Sequence, residues 1–74
     1  MSIHQPHMIG CPFRESELKL LEELSNGAMV KQASHALGRS DYTVNKQLSD
    51  MKRVSGKQTA AGIVAMALRN GWIQ

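Results

Sequence analysis

The sequence contains little cysteine and no long apolar run. The single cysteine, Cys11, cannot form an intrachain disulfide, which argues against a disulfide-stapled secreted scaffold. The longest apolar-rich stretch, residues 60–68, is too short to span a bilayer. The N-terminus lacks the basic and apolar regions of a signal peptide. We therefore expect a cytoplasmic protein with no membrane contact.

Aromatic residues are also few, since the chain has one Phe, one Tyr and one Trp among 74 residues. The core is therefore expected to be aliphatic. Apolar residues make up 42% of the chain, which is enough for a packed core and too high for a disordered chain. This length allows one small domain, whose stability would gain from a partner subunit.

Acidic residues are scarce beyond residue 26. Residues 1–26 contain four Glu and only two basic residues, which gives a net charge of −2. Residues 27–74 contain seven Lys or Arg and only Asp41 and Asp50 as acids, which gives +5 and an overall charge of +3. The basic part of the chain is compatible with an anionic partner, and equally with an ordinary solvated surface.

The first twelve residues show no sustained periodicity and contain two prolines and a glycine. This composition predicts a flexible arm over 1–12 and a folded domain over 13–74. The spacing of His4, His7 and Cys11 resembles that of metal ligands, but a fourth ligand is missing. We therefore expect no metal site.

Apolar residues spaced three and four apart predict an all-α domain of four helices. Each predicted helix is followed closely by a glycine, which suits the left-handed conformation at a helix end. The expected architecture is a tri-helical core plus a C-terminal dimerisation helix. The predicted helices cover about 14–25, 29–37, 40–53 and 58–70.

The third predicted helix has a narrow apolar stripe formed by Val44, Leu48 and Met51, and its other positions are almost all polar. Such a helix is anchored along one edge and presents a broad polar face. Together with the preceding helix and Gly38 it forms a helix-turn-helix pattern, in which the second helix can enter the DNA major groove. The same geometry occurs in proteins that bind no DNA, so periodicity alone does not establish DNA binding.

The fourth predicted helix is apolar on nearly every side, which requires burial on more than one face. The rest of the chain is too short to cover a second face, so we expect a homodimer. The small residues Ala61, Gly62 and Ala65 would allow two backbones to approach closely. Alternatively, alanine is tolerated at exposed positions because it is a good helix former. The predicted dimer interface consists of Ala61, Val64, Ala65 and Leu68.

Several motifs carry a family resemblance from Arg14 onward. Residues 14–18 resemble R-E-x-E-V, and residues 40–48 resemble S-x-x-T-V-K-x-H-L. Gly71-Trp72-Ile73 resembles a G-L-I ending. These motifs resemble those of the LuxR/GerE family of helix-turn-helix DNA-binding domains, and residues 27–73 match that pattern without a gap.

The chain departs from the family pattern on both helices of the pair. On the third predicted helix, the recognition helix of the family, the family's lysine and histidine are replaced by Asn45 and Gln47. In the middle of the second predicted helix, the scaffold helix, the family's apolar residue and alanine are replaced by Ala33 and Ser34. The change at Asn45 bears on which DNA sequence is preferred, because asparagine can contact adenine.

The resemblance implies a free-standing, dimeric transcriptional regulator that binds double-stranded DNA in a sequence-specific manner and has no cofactor and no enzymatic activity. It implies base contacts from Asn45, Lys46 and Ser49, and base or phosphate contacts from Tyr42 and Thr43. For each residue, the alternative is a solvated surface side chain. The candidates for phosphate contacts are Lys31, Lys52, Arg53 and Lys57.

Protein partners other than a second copy are also compatible with the family fold, and they include another regulator and RNA polymerase. A different class of function is an antagonist that uses this fold to pair with a full-length regulator and block it. The weak basicity of the third helix and the very apolar fourth helix favour that alternative. No catalytic constellation and no glycine-rich phosphate loop is present in the sequence.

Overall fold

Four helices make up the part of the chain that the structure describes. A computed structural model describes residues 10–74 and contains no strand among them. The predicted all-helical fold is therefore confirmed. Residues 1–9, which include His4, His7 and most of the predicted arm, lie outside the described residues. The helices are α1 (Glu15–Ser25), α2 (Val30–Leu37), α3 (Asp41–Ser55) and α4 (Ala60–Arg69).

The helix boundaries agree with the prediction to within two residues. The helix α3 continues to Ser55 rather than ending at Arg53. The helix α4 begins at Ala60, later than the predicted start, because the Thr59 side chain caps it by accepting a hydrogen bond from the Gly62 amide at 3.0 Å. Within residues 10–74 no helix is long and apolar enough to cross a membrane.

The turn between α2 and α3 is short because Gly38 reverses the chain at once. Gly38 has φ of +67°, a left-handed conformation that costs little only for glycine. Its amide donates to the His35 carbonyl at 3.1 Å, and the Arg39 amide donates to the Ser34 carbonyl at 2.9 Å. These two bonds form a Schellman motif, which satisfies carbonyls at the end of α2 and sends the chain directly into α3.

The core is aliphatic at its centre, as the composition predicts. Its largest fully buried side chains come from α1, α3 and α4, while α2 contributes Ala33 and Ser34. Buried Ser34 is satisfied, since its hydroxyl donates to the Val30 carbonyl at 2.8 Å. The helix α1 contacts each of the other three helices. The fully buried large side chains are Leu20, Leu21, Val44, Met51 and Ile63.

An aromatic pair closes the core where the segments flanking α1 and α4 meet. The rings of Phe13 and Trp72 pack edge to face, with centroids 5.9 Å apart and planes at 86°. The Trp72 amide donates to the Ala67 carbonyl at 2.9 Å, which turns the chain back onto the core after α4. Partly buried Cys11 packs against the same core.

Candidate nucleic-acid interface

The helix α3 is buried along one stripe only. Val44 is fully buried, and Leu48 and Met51 are 5% and 1% exposed. These three positions recur at intervals of four and three residues, so they lie on one side of the helix. That side packs among the other helices, which all contact α3. The polar residues between them are therefore left at the surface.

The opposite side of α3 presents a continuous row of exposed side chains. Tyr42, Asn45, Lys46 and Ser49 are all exposed, and their spacing of three, four and seven residues places them together. Arg53 continues the row one turn beyond Ser49. We call these five residues the outer face of α3. Tyr42 is the most prominent apolar surface on it, with 77% of its area exposed.

Two hydroxyl groups fix the start of α3. The Ser40 side chain accepts a hydrogen bond from the Thr43 amide at 3.0 Å and donates its own proton to the Thr43 hydroxyl at 2.9 Å. The Thr43 hydroxyl thus accepts one bond and keeps a proton that it can donate to a ligand. Asp41 in the first turn complements the positive end of the helix dipole.

A side-chain bridge joins the turn before α3 to the body of the helix. The Arg39 guanidinium donates to the Gln47 side-chain carbonyl at 3.0 Å, and both residues are partly buried. In the sequence, Gln47 stands out only as a departure from the family pattern, and Arg39 is not among the predicted site residues. No helical spacing rule pairs two residues eight positions apart across a helix start, so the sequence offered no signal for this contact. This hydrogen bond holds the Arg39 side chain against α3.

The predicted phosphate-binding cations lie on three different segments. Lys31 is exposed on α2, Lys57 is exposed between α3 and α4, and Lys52 is partly buried in the last turn of α3. Arg53 forms an ion pair with Asp50 at 3.5 Å while its side chain stays 74% exposed. An exposed pair of this kind contributes about 0–1 kcal/mol, so Arg53 remains available to another anion.

The predicted dimer residues form a stripe on the outer side of α4. Ala61 and Leu68 are exposed, and Val64 and Ala65 are partly buried. Their spacing of three, four and seven residues places them on one side, which we call the α4 stripe. Ile63 and Ala67 on the inner side are fully buried against the core, so the helix divides its apolar residues between two faces.

Gly62 has a role within its own chain. A Cβ atom at this position would lie 3.3 Å from the Thr59 hydroxyl oxygen and 3.5 Å from the Lys57 Cβ. The missing side chain therefore makes room for the N-cap of α4 and for the stem of Lys57. Gly62 thus has a local function in its own chain, and the close approach of a second backbone at this position stays a prediction.

Comparisons with protein-family models, with curated proteins and with solved structures give no match. Within the described range no group of three or more His, Cys, Asp or Glu side chains is placed to hold a metal ion.

Proposed function

We propose that this protein is a sequence-specific, DNA-binding transcriptional regulator of the LuxR/GerE type, acting as a homodimer in the bacterial cytoplasm. The observation that carries the proposal is the one-sided burial of α3. Its apolar stripe is fully used by the core, while its outer face is exposed and carries amide, hydroxyl and cationic groups. In this role α3 is the recognition helix and α2 is the scaffold helix of a helix-turn-helix.

The outer face has the chemistry that major-groove recognition requires. The groove admits one α-helix, whose side chains read base edges by hydrogen bonding. Asn45, Lys46 and Ser49 can supply these bonds, and the free proton of the Thr43 hydroxyl suits a phosphate oxygen. The phosphate contacts are assigned to Lys31, Lys52, Arg53 and Lys57, which would position the helix without specifying sequence.

The α4 stripe supports the dimeric part of the proposal. Leu68 remains 46% exposed and Ala61 is exposed, whereas Val64 and Ala65 are partly covered by their own chain. A second copy that packs on the same stripe would bury it through a two-fold contact. The outer faces of α3 in the two protomers would then lie in successive major grooves, about 34–36 Å apart along the duplex.

Binding of labelled random-sequence duplex DNA, followed by fluorescence anisotropy, tests the proposal. We expect the wild-type protein to bind, and we expect Lys46→Ala to weaken binding. The matched control is Lys19→Ala, which removes an exposed lysine from α1 and should leave affinity unchanged. A wild-type protein that fails to bind any duplex at low salt would overturn the proposed function.

An antagonist that pairs with a full-length regulator is the second candidate. Asp50 beside Arg53 reduces the positive charge near the outer face, and the α4 stripe is apolar enough to pair with a related helix. The double variant Asn45→Ala, Lys46→Ala separates the two roles. A regulator loses DNA binding and biological effect while it still dimerises, whereas an antagonist keeps its biological effect.

A further inference from the structure

The centre of the outer face of α3 carries no guanidinium group. Arg39 is held by its hydrogen bond to Gln47, and Arg53 lies at the C-terminal end of the helix next to Asp50. The centre is occupied instead by the carboxamide of Asn45, with the Ser49 hydroxyl one turn later. Lys46 beside Asn45 is the cation at this centre, and Asn45 and Ser49 are the neutral groups that can reach base edges.

Neutral amides and cations select different bases. Guanine presents two acceptors in the major groove, N7 and O6, which suit the donors of Arg or Lys. Adenine presents one acceptor and one donor, N7 and the N6 amino group, which match the donor and acceptor of a carboxamide. The Asn45 side chain is exposed, and none of the side-chain hydrogen bonds within residues 10–74 engages it. Its amide is thus available for a bidentate contact.

We propose that Asn45 selects an adenine at the base pair it faces, so that each half-site has an obligatory A·T pair at the centre of the recognised sequence. This inference rests on the proposed function and specifies its ligand. Lys46, which adjoins Asn45 on the outer face, supplies a donor for a neighbouring base or phosphate. Affinity then comes mainly from the cations around the face, and discrimination comes mainly from one amide.

Selection from a random-sequence duplex library tests this assignment. The wild-type protein should enrich sequences with an adenine at one fixed position of each half-site. Asn45→Ala should lose the preference at that position alone, and Asn45→Arg should replace adenine by guanine there. Asn45→Gln keeps the carboxamide and should retain adenine, which a purely structural role of Asn45 would not require.

A modified base then tests the individual contact. In a duplex selected by the wild-type protein, 7-deazaadenine at the fixed position removes the N7 acceptor. We expect wild-type affinity to fall by about fivefold, at the low end of the roughly 5- to 150-fold discrimination of a bidentate pair, because one of its two hydrogen bonds is lost. The affinity of Asn45→Ala should not respond to this base. The control Asn26→Ala changes an exposed asparagine at the end of α1 and should respond as the wild type does.

The outcomes separate the inference from the function on which it rests. Duplex binding with a sequence profile that Asn45→Ala leaves unchanged overturns the inference and leaves the DNA-binding role standing. A guanine at the fixed position for the wild type has the same meaning. Absence of any duplex binding by the wild type overturns both. Circular dichroism of each variant checks that α3 is intact, since Asn45 is exposed and alanine favours helix.

Discussion

Ser40 connects the stability of α3 with the availability of Thr43. Its hydroxyl group accepts the Thr43 amide and donates to the Thr43 hydroxyl, so one side chain both caps the helix and orients a neighbouring donor. A cap of this kind satisfies an amide that has no partner inside the helix. The first turn of α3 therefore depends on Ser40 for its stability and for the position of a group in the candidate interface.

The variant Ser40→Ala should lower the free energy of unfolding by about 1 kcal/mol, because the Thr43 amide loses its acceptor. Urea titration followed by circular dichroism measures this change. Ser49→Ala is the matched control, since Ser49 lies on the exposed side of the same helix. Equal stability of the two variants would show that the cap contributes nothing.

The bridge between Arg39 and Gln47 predicts an energetic coupling between these residues. Arg39→Ala and Gln47→Ala should each destabilise the fold, and the double variant should cost less than the sum of the two. The expected coupling is about 0.5–1.5 kcal/mol, typical of one hydrogen bond in partly buried surroundings. A double-mutant cycle of unfolding free energies measures it. Strict additivity would mean that the 3.0 Å contact has no energetic weight.

At the scale of helices, α4 differs from the others because it divides its apolar residues between two sides. Ile63 and Ala67 complete the core, and the α4 stripe leaves Leu68 at the surface. The same helix can thus stabilise its own domain and contact another one. The proposed dimer would use both sides, which would account for a composition that is more apolar than a single buried face requires.

A charge on the α4 stripe should disrupt the proposed dimer and leave the fold intact. In Leu68→Glu, each copy would bring a carboxylate into the apolar interface, so sedimentation equilibrium should show a monomer at concentrations where the wild type is dimeric. Val54→Glu places the same charge on an exposed aliphatic residue of α3 and should preserve the dimer. A wild-type protein that sediments as a monomer at all concentrations would contradict the dimer.

Periodicity in the sequence predicted most of the architecture. The stripe of Val44, Leu48 and Met51 is buried as its spacing required, and exposure of the opposite face followed from the same argument. The start of α4 was placed too early, because periodicity does not reveal that Thr59 caps the helix from outside. The contact between Arg39 and Gln47 depends on how two helices are joined in space, and no local pattern encodes it.

At the scale of the whole molecule, charge separation predicts a strong dependence of DNA binding on salt. The seven basic residues after residue 26 include the four assigned to phosphates. Eight such contacts in a dimer predict a slope of roughly −7 for log affinity against log salt. Arg53→Ala should reduce the magnitude by about one per protomer, and Lys19→Ala should leave it unchanged. A slope near zero would contradict the phosphate assignments.

Burial of Trp72 against Phe13 and exposure of Tyr42 give the molecule two optical reporters in different surroundings. Trp72 is the only tryptophan and is 8% exposed, whereas Tyr42 is the only tyrosine and is 77% exposed. Indole emission should therefore shift to longer wavelength when the core opens. Phenol emission should respond when a ligand covers the start of α3. One unlabelled sample can thus distinguish unfolding from occupancy of that surface.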